Sequence, residues 1–103
     1  MLSYSEENYL KAIFHLSVNN DSGVSTNSIA SKIDSKAPSV TEMLKKLFDK
    51  DLVTYKKYQG ALLTELGRKT ALSVIRKHRL WEVFLVKKLN FKWYEVHDIA
   101  EQL

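Results

Sequence analysis

The chain contains no cysteine, so nothing in it points to a disulfide framework or to the secreted setting that goes with one. The opening Met1-Leu2-Ser3-Tyr4 lacks the basic-then-apolar order of a signal peptide. No apolar run approaches the roughly 20 residues of a membrane span, and no internal repeat or low-complexity linker interrupts the sequence. These absences leave a cytoplasmic protein with no membrane partner as the default expectation. What is present is ordinary for a globular chain: 103 residues, 45% hydrophobic and 27% charged, with a net charge of +4. The basic balance favours a polyanionic partner without requiring one. A chain of this length buries a modest core, so dimerisation would help its stability.

Residues 3 to about 18 read as a helix. Ser3 with Glu6 fits a capping box, and Leu10, Ile13, Phe14 and Ser17 recur at helical spacing, with Tyr9 and Leu16 widening the stripe. Asn19 to Gly23 is a turn cluster. Thr26 is then read as the cap of a short helix with Ile29, Ala30 and Ile33 inward. After the turn Asp34-Ser35-Lys36-Ala37, Pro38 opens a second helix, where its missing N–H costs nothing. Val40, Leu44 and Leu47 make that helix's inward stripe, joined by Met43 and Phe48. Val53, Thr54 and Tyr55 are good strand formers. Ala61 to Thr64 is the return strand, across a connection whose Gly60 can adopt a positive φ. Thr64 caps a long helix to about Leu89, and Lys92 to Leu103 read as a further helix with no cap, glycine or proline at its end. The expectation is therefore a truncated chain.

This order gives a mainly α fold with a small β-hairpin: a winged helix-turn-helix over residues 1–72, followed by the start of a helical region over residues 73–103. In such a motif the second helix enters the major groove, and its N-terminal residues meet base edges. Ala37, Pro38, Ser39, Thr41 and Glu42 occupy that place. Pro38 suits a thymine methyl and Glu42 a cytosine amine. Ser25, Thr26, Asn27 and Lys36 are candidates for phosphates, as are Lys45 and Lys46 further along. Lys56, Lys57 and Tyr58 place cations and a phenol on the wing. Any one of these residues alone is read more simply as a solvated surface; it is the ordered set, with the hairpin after it, that points to double-stranded DNA.

His78 and Glu82 lie four apart on the long helix and so share a face. His97 and Glu101 repeat the spacing, with Asp98 beside them. Imidazole nitrogen and carboxylate oxygen are donors that Mn(II), Fe(II), Co(II) and Zn(II) accept. The plain alternative is a set of surface ion pairs, because His78 lies in the basic run Arg76-Lys77-His78-Arg79.

Several stretches taken together resemble the diphtheria-toxin-repressor family of metal-dependent bacterial repressors, including its manganese-sensing branch. They are Val24-Ser25-Thr26-Asn27-Ser28-Ile29-Ala30, Lys36-Ala37-Pro38-Ser39-Val40-Thr41, Leu63-Thr64-Glu65-Leu66-Gly67, the run from Arg76 to Leu85, and the run from Glu95 to Leu103. The resemblance covers almost the whole chain. It implies a homodimeric repressor that takes Mn(II) or Fe(II), reads a palindromic operator and controls genes of metal uptake. It implies that 73–103 are dimerisation and metal-binding helices. It also implies that His78, Glu82 and His97 match one ligand cluster and that Glu101 matches a ligand position of a neighbouring one. The first-helix ligand position falls at Asn8, where the family usually has Met or Asp; an amide oxygen there brings no charge. Lys11, one turn on, stands where some manganese sensors have a carboxylate, and its charge opposes a second ion. The family pattern continues beyond Leu103 with a further Glu-His pair of ligands, so a partial cluster is expected in this chain. Three other readings compete with this one. The first is a metal-independent winged-helix DNA binder whose acid/His pairs are structural. The second is a protein-interaction winged helix. The third is a metal-dependent enzyme, disfavoured because no nucleophile–base arrangement is evident.

Overall fold

Helix α1 (Tyr4–Ser17) starts where the sequence puts its cap: the Ser3 Oγ accepts from the Glu6 N–H at 3.1 Å, and the Glu6 carboxylate accepts from the Ser3 N–H at 2.9 Å. The computed structural model describes residues 2–18, 22–56 and 60–88. Over these it gives α1, α2 (Thr26–Ile33), α3 (Ala37–Asp49), β1 (Val53–Lys56), β2 (Gly60–Leu63) and α4 (Glu65–Lys88). The chain divides into two compact units, Met1–Ala71 and Leu72–Leu103. The expected helix over 92–103 lies outside the described residues.

In the first unit β1 and β2 pair antiparallel with Val53 opposite Leu63 and Lys56 opposite Gly60. Val24, just before α2, exchanges two 2.8 Å backbone hydrogen bonds with Ala61, so the hairpin is stitched to the helix-turn-helix. This approach needs Gly60, which has φ +101°; a Cβ there would lie 2.2 Å from the Val24 carbonyl oxygen. The core takes Leu10 and Ile13 from α1, Ile29 from α2, Val40 and Leu47 from α3, and Leu52, Val53 and Ala61 from the hairpin, all 4% exposed or less. Each helix contributes one stripe at helical spacing, and burial of those stripes holds the unit together.

Some details differ from the sequence expectation: α3 begins at Ala37 rather than Pro38, and β2 spans Gly60–Leu63 rather than Ala61 to Thr64. Ser25, not Thr26, caps α2: its Oγ accepts from the Ser28 N–H at 3.0 Å, and Thr26 is the first helical residue. Adjacent hydroxyl residues both satisfy cap preference, so the sequence leaves a one-residue ambiguity. Phe48, expected on the inward stripe of α3, is 57% exposed. Leu44 and Leu47 already define the buried face, and one further step around the helix turns the ring outward.

In the second unit, Val74, His78 and Leu85 are buried along one face of α4, while Leu80, Trp81 and Phe84 are exposed. The Trp81 and Phe84 rings meet edge to face, with centroids 5.5 Å apart.

Glu6 carries a measurable pH signature. The Lys50 ammonium, then the Ser3 N–H, hold its carboxyl down at about 2, below 4.5, against the opposing effect of burial. A carboxyl lowered on folding contributes stability above its unfolded value, and that contribution disappears as pH falls from 4.5 to about 2. Lys50 is 43% exposed, so solvent screening reduces the expected contribution to about 1–2 kcal/mol. Urea denaturation across this pH window should show a steeper loss of stability in the wild type than in Glu6→Gln, and parallel curves would refute the assignment.

Candidate nucleic-acid interface and metal-binding helix

The helix-turn-helix is set by backbone chemistry in its turn. Asp34 ends α2 in the left-handed conformation, with φ 60° and ψ 51°, and donates its N–H to the Ala30 carbonyl. Aspartate tolerates this region better than most residues. Ser35 donates to the same carbonyl at 2.9 Å. Lys36 then takes the N-cap position of α3 without a side-chain cap, with proline in the first turn. The N–H groups at this end therefore remain available to a partner, and the helix dipole makes that end favourable for negative charge.

The inward residues Val40, Leu44 and Leu47 fix the roll of α3. As a result Pro38, Ser39, Thr41, Glu42, Lys45 and Lys46 are exposed, and Ala37 is half-buried. The Thr41 hydroxyl donates back to the Ala37 carbonyl at 3.1 Å but remains on the surface. Glu42 and Lys45 approach to 3.9 Å with both side chains at least 70% exposed, a pair too solvated to hold either one away from a ligand. On α2, Ser25 and Asn27 are exposed and Thr26 half-buried; the Ser25 hydroxyl is already engaged, accepting from Ser28 N–H and donating to Ser28 Oγ. Lys56 is exposed at the end of β1; Lys57 and Tyr58 lie outside the described residues.

Three of the expected contacts, Thr26, Thr41 and Lys45, line one groove. This groove of about 390 Å³ runs between α3 and the hairpin, lined also by Asp49, Thr54 and Tyr55. Leu44, Phe48, Val53 and Ala61 complete a mainly apolar lining, beside the Thr26, Thr41 and Thr54 hydroxyls and the Lys45 ammonium. Tyr55, 60% exposed, and the carboxylate of Asp49 also line it, and neither was expected from the sequence. The signal for Asp49 was available, as it follows Thr41 and Lys45 at intervals of four on one helix face.

On α4, His78 and Glu82 are one turn apart; the imidazole is 2% exposed and Glu82 is half-buried. On α1, the Asn8 side-chain oxygen is buried and has no hydrogen-bond partner among the described residues. An unpaired buried acceptor costs about 1–3 kcal/mol, a cost that a bound cation would offset. Taken each by itself, the His78 imidazole and Glu82 carboxylate on α4 are donor types that a divalent ion accepts, and so is the Asn8 amide oxygen on α1. Among the described residues no group of three or more His, Cys, Asp or Glu side chains gathers. His97 and Glu101 lie outside them. The sequence reading missed Glu6 and Lys50, whose ion pair joins α1 to the end of α3.

Comparison with known proteins gives concordant matches. The family described as "Iron dependent repressor, N-terminal DNA binding domain" matches residues 1–61. "Iron dependent repressor, metal binding and dimerisation domain" matches residues 64–103. An HTH-type transcriptional regulator of Methanocaldococcus jannaschii is 35% identical over 89 residues, 86% of this chain and 71% of its own length. The diphtheria toxin repressor of Corynebacterium jeikeium is 32% identical over 94 residues, 91% of this chain and 39% of its own. Among solved structures, the manganese regulator SloR aligns with a TM-score of 0.79 at 45% identity, covering 94% of this chain and 45% of that one. The chain thus spans less than half the length of these last two proteins.

Proposed function

The chain belongs to the iron-dependent repressor family, and on that premise we propose that it is the DNA-reading and metal-sensing part of a transcriptional repressor that grips its operator when Mn(II) or Fe(II) is bound. Members of the family are DNA-binding transcriptional regulators. The observation that carries the metal half of the proposal is His78, a buried imidazole one turn before Glu82 on the helix matched by the metal-binding and dimerisation family. A dry nitrogen donor with a carboxylate beside it is what a borderline divalent ion requires.

The donors proposed are His78, Glu82 and His97 for one ion, with Glu101 and Asn8 completing the set. A bound ion supplies divalent charge and a fixed coordination among them; it favours DNA binding only so far as the DNA-competent arrangement binds it better. Asn8 adds an oxygen without a charge, so the set holds its ion less strongly than one with aspartate there. On the DNA side, Pro38, Ser39, Thr41 and Glu42 of α3 face base edges. Ser25, Thr26, Asn27, Lys36, Lys45 and Lys46, with Lys56, Lys57 and Tyr58 on the wing, track the phosphates.

A homodimer reading a palindromic operator completes the proposal. Leu80, Trp81 and Phe84 leave an apolar strip exposed on α4, which suits an isologous contact with a second copy. Among the described residues no helix is long and apolar enough to cross a membrane, and cytoplasmic action on genes of metal uptake fits this assignment.

The test is fluorescence anisotropy of the intact protein on a duplex selected from a randomised library, at fixed salt, with chelator and then with Mn(II) or Fe(II). Tightening of at least tenfold on metal addition is expected, within the range common for coupled sites. Equal affinity in chelator and in metal would leave a metal-independent winged-helix DNA binder, and no affinity for any duplex would remove the DNA role.

A further inference from the structure

Glu6 sits in the first turn of α1 and Lys50 is the C-cap residue of α3. The Lys50 Nζ donates to Glu6 Oε2 at 2.6 Å, while Oε1 accepts from the Ser3 N–H at 2.9 Å. Both carboxylate oxygens are thereby engaged, one by its own helix cap and one by a residue 44 positions away. The Glu6 side chain is 8% exposed, so this contact is sheltered on the carboxylate side.

The rest of the contact between α1 and α3 runs through the apolar core. Burial of such surface is non-directional: it holds two helices together but resists small slides and rolls weakly. A short charge-assisted hydrogen bond does have a direction and a fixed length. Its contribution to stability is modest, because Lys50 is 43% exposed and solvent screens the pair. What the pair adds is a defined position of the α1 first turn relative to the end of α3. Asn8 lies two residues after Glu6 on α1, and its buried oxygen has no hydrogen-bond partner among the described residues.

We infer that the Glu6–Lys50 pair is a positioning link, which passes the constraint imposed at Asn8 on α1 to the DNA-reading helix α3. The inference rests on the metal-dependent DNA reading proposed above. Neither residue touches DNA or metal; each acts through the helix it anchors. Without the link, α1 and α3 remain packed, the ion still binds, and its effect on DNA affinity is lost in the slack between them.

The experiment measures the ratio of DNA affinity with and without Mn(II) in the intact protein and in Glu6→Gln, Lys50→Met and Lys50→Arg, on one selected duplex at one salt concentration. Mn(II) affinity without DNA is titrated separately. Glu6→Gln retains an acceptor for the Ser3 N–H, and Lys50→Met retains the aliphatic stem, so two independent routes remove the ion pair. The expected result is a ratio reduced about fivefold or more in both, Mn(II) affinity in the absence of DNA within about threefold of wild type, and a ratio near wild type in Lys50→Arg. A merely structural pair would lower the melting temperature and leave the ratio unchanged, which would overturn the inference, as would an equal loss in Lys50→Arg. If the wild type itself shows no Mn(II) effect, the functional reading fails and the inference falls with it; a metal response in the wild type that persists in the variants overturns the inference alone.

Discussion

Replacing His78 by glutamine is expected to make DNA binding indifferent to metal. His78 is 2% exposed, so the lost nitrogen donor is not readily replaced by water from bulk solvent. Glutamine has comparable reach, but its neutral amide oxygen is a poorer donor than imidazole toward Mn(II) or Fe(II). Loss of a group that merely orients a ligand costs about 10–100-fold in metal affinity; loss of the ligand itself should cost at least about 100-fold. Titration of Mn(II) into the free protein reads the affinity directly, and anisotropy reads the consequence: with Mn(II), the variant should bind operator no more tightly than the wild type does in chelator. Glu82→Gln should move both readouts in the same direction. A purely structural His78 would give the opposite pattern, a lower melting temperature with the metal response intact.

The parts of this molecule that were legible in the sequence are those encoded locally. The Ser3/Glu6 capping box, the alternation of inward and outward residues on α3 and the strand formers before Gly60 each report a few neighbouring residues, and the helices and hairpin follow from them. The winged helix-turn-helix and the family resemblance were legible for the same reason, and the matches to a DNA-binding and a metal-binding and dimerisation family bear them out. What escaped depends on residues distant in the chain. Glu6 reads as a capping acid and nothing more until Lys50, 44 positions on, is placed against it. Phe48 continues the apolar pattern of α3 by composition, yet the buried face is already filled by Leu44 and Leu47, and the ring points outward. The unpartnered oxygen of Asn8 is likewise a property of burial, which no local pattern carries. Gly67 falls between these cases. A glycine in the first turn of a good helix is locally unfavourable by about 1 kcal/mol, and that misfit was the available sign of a close approach.

Gly67→Ala is expected to be among the most damaging single changes in the chain, although alanine is the better helix former. A Cβ at this position would lie 1.9 Å from the Leu52 carbonyl oxygen and 2.9 Å from its carbon, well inside van der Waals contact with backbone that cannot rotate away. Leu52 is held from both sides. Its carbonyl accepts from the Thr64 N–H at 3.1 Å and its N–H donates to Leu47 at 3.0 Å. Thr64 adds its hydroxyl, which donates to the Asp51 carbonyl at 2.7 Å and accepts from the Gly67 N–H at 2.9 Å. Asp51 itself turns the chain in the left-handed region, with φ 61°. The end of α3, the entry to β1 and the cap of α4 therefore form one hydrogen-bonded junction, and the methyl group can enter only by breaking part of it. The cost is set by those lost bonds and by displacement of Leu52, itself 4% exposed: about 3 kcal/mol or more, a large share of the 5–15 kcal/mol that holds a typical domain folded. The melting temperature should fall by more than about 10 °C, whereas Ser73→Ala, on the exposed side of the same helix, should leave it nearly unchanged. Helix propensity alone predicts a rise for Gly67→Ala, so the sign of the shift decides between the two accounts. A rise would mean that the first turn of α4 separates from the entry to β1 at little cost.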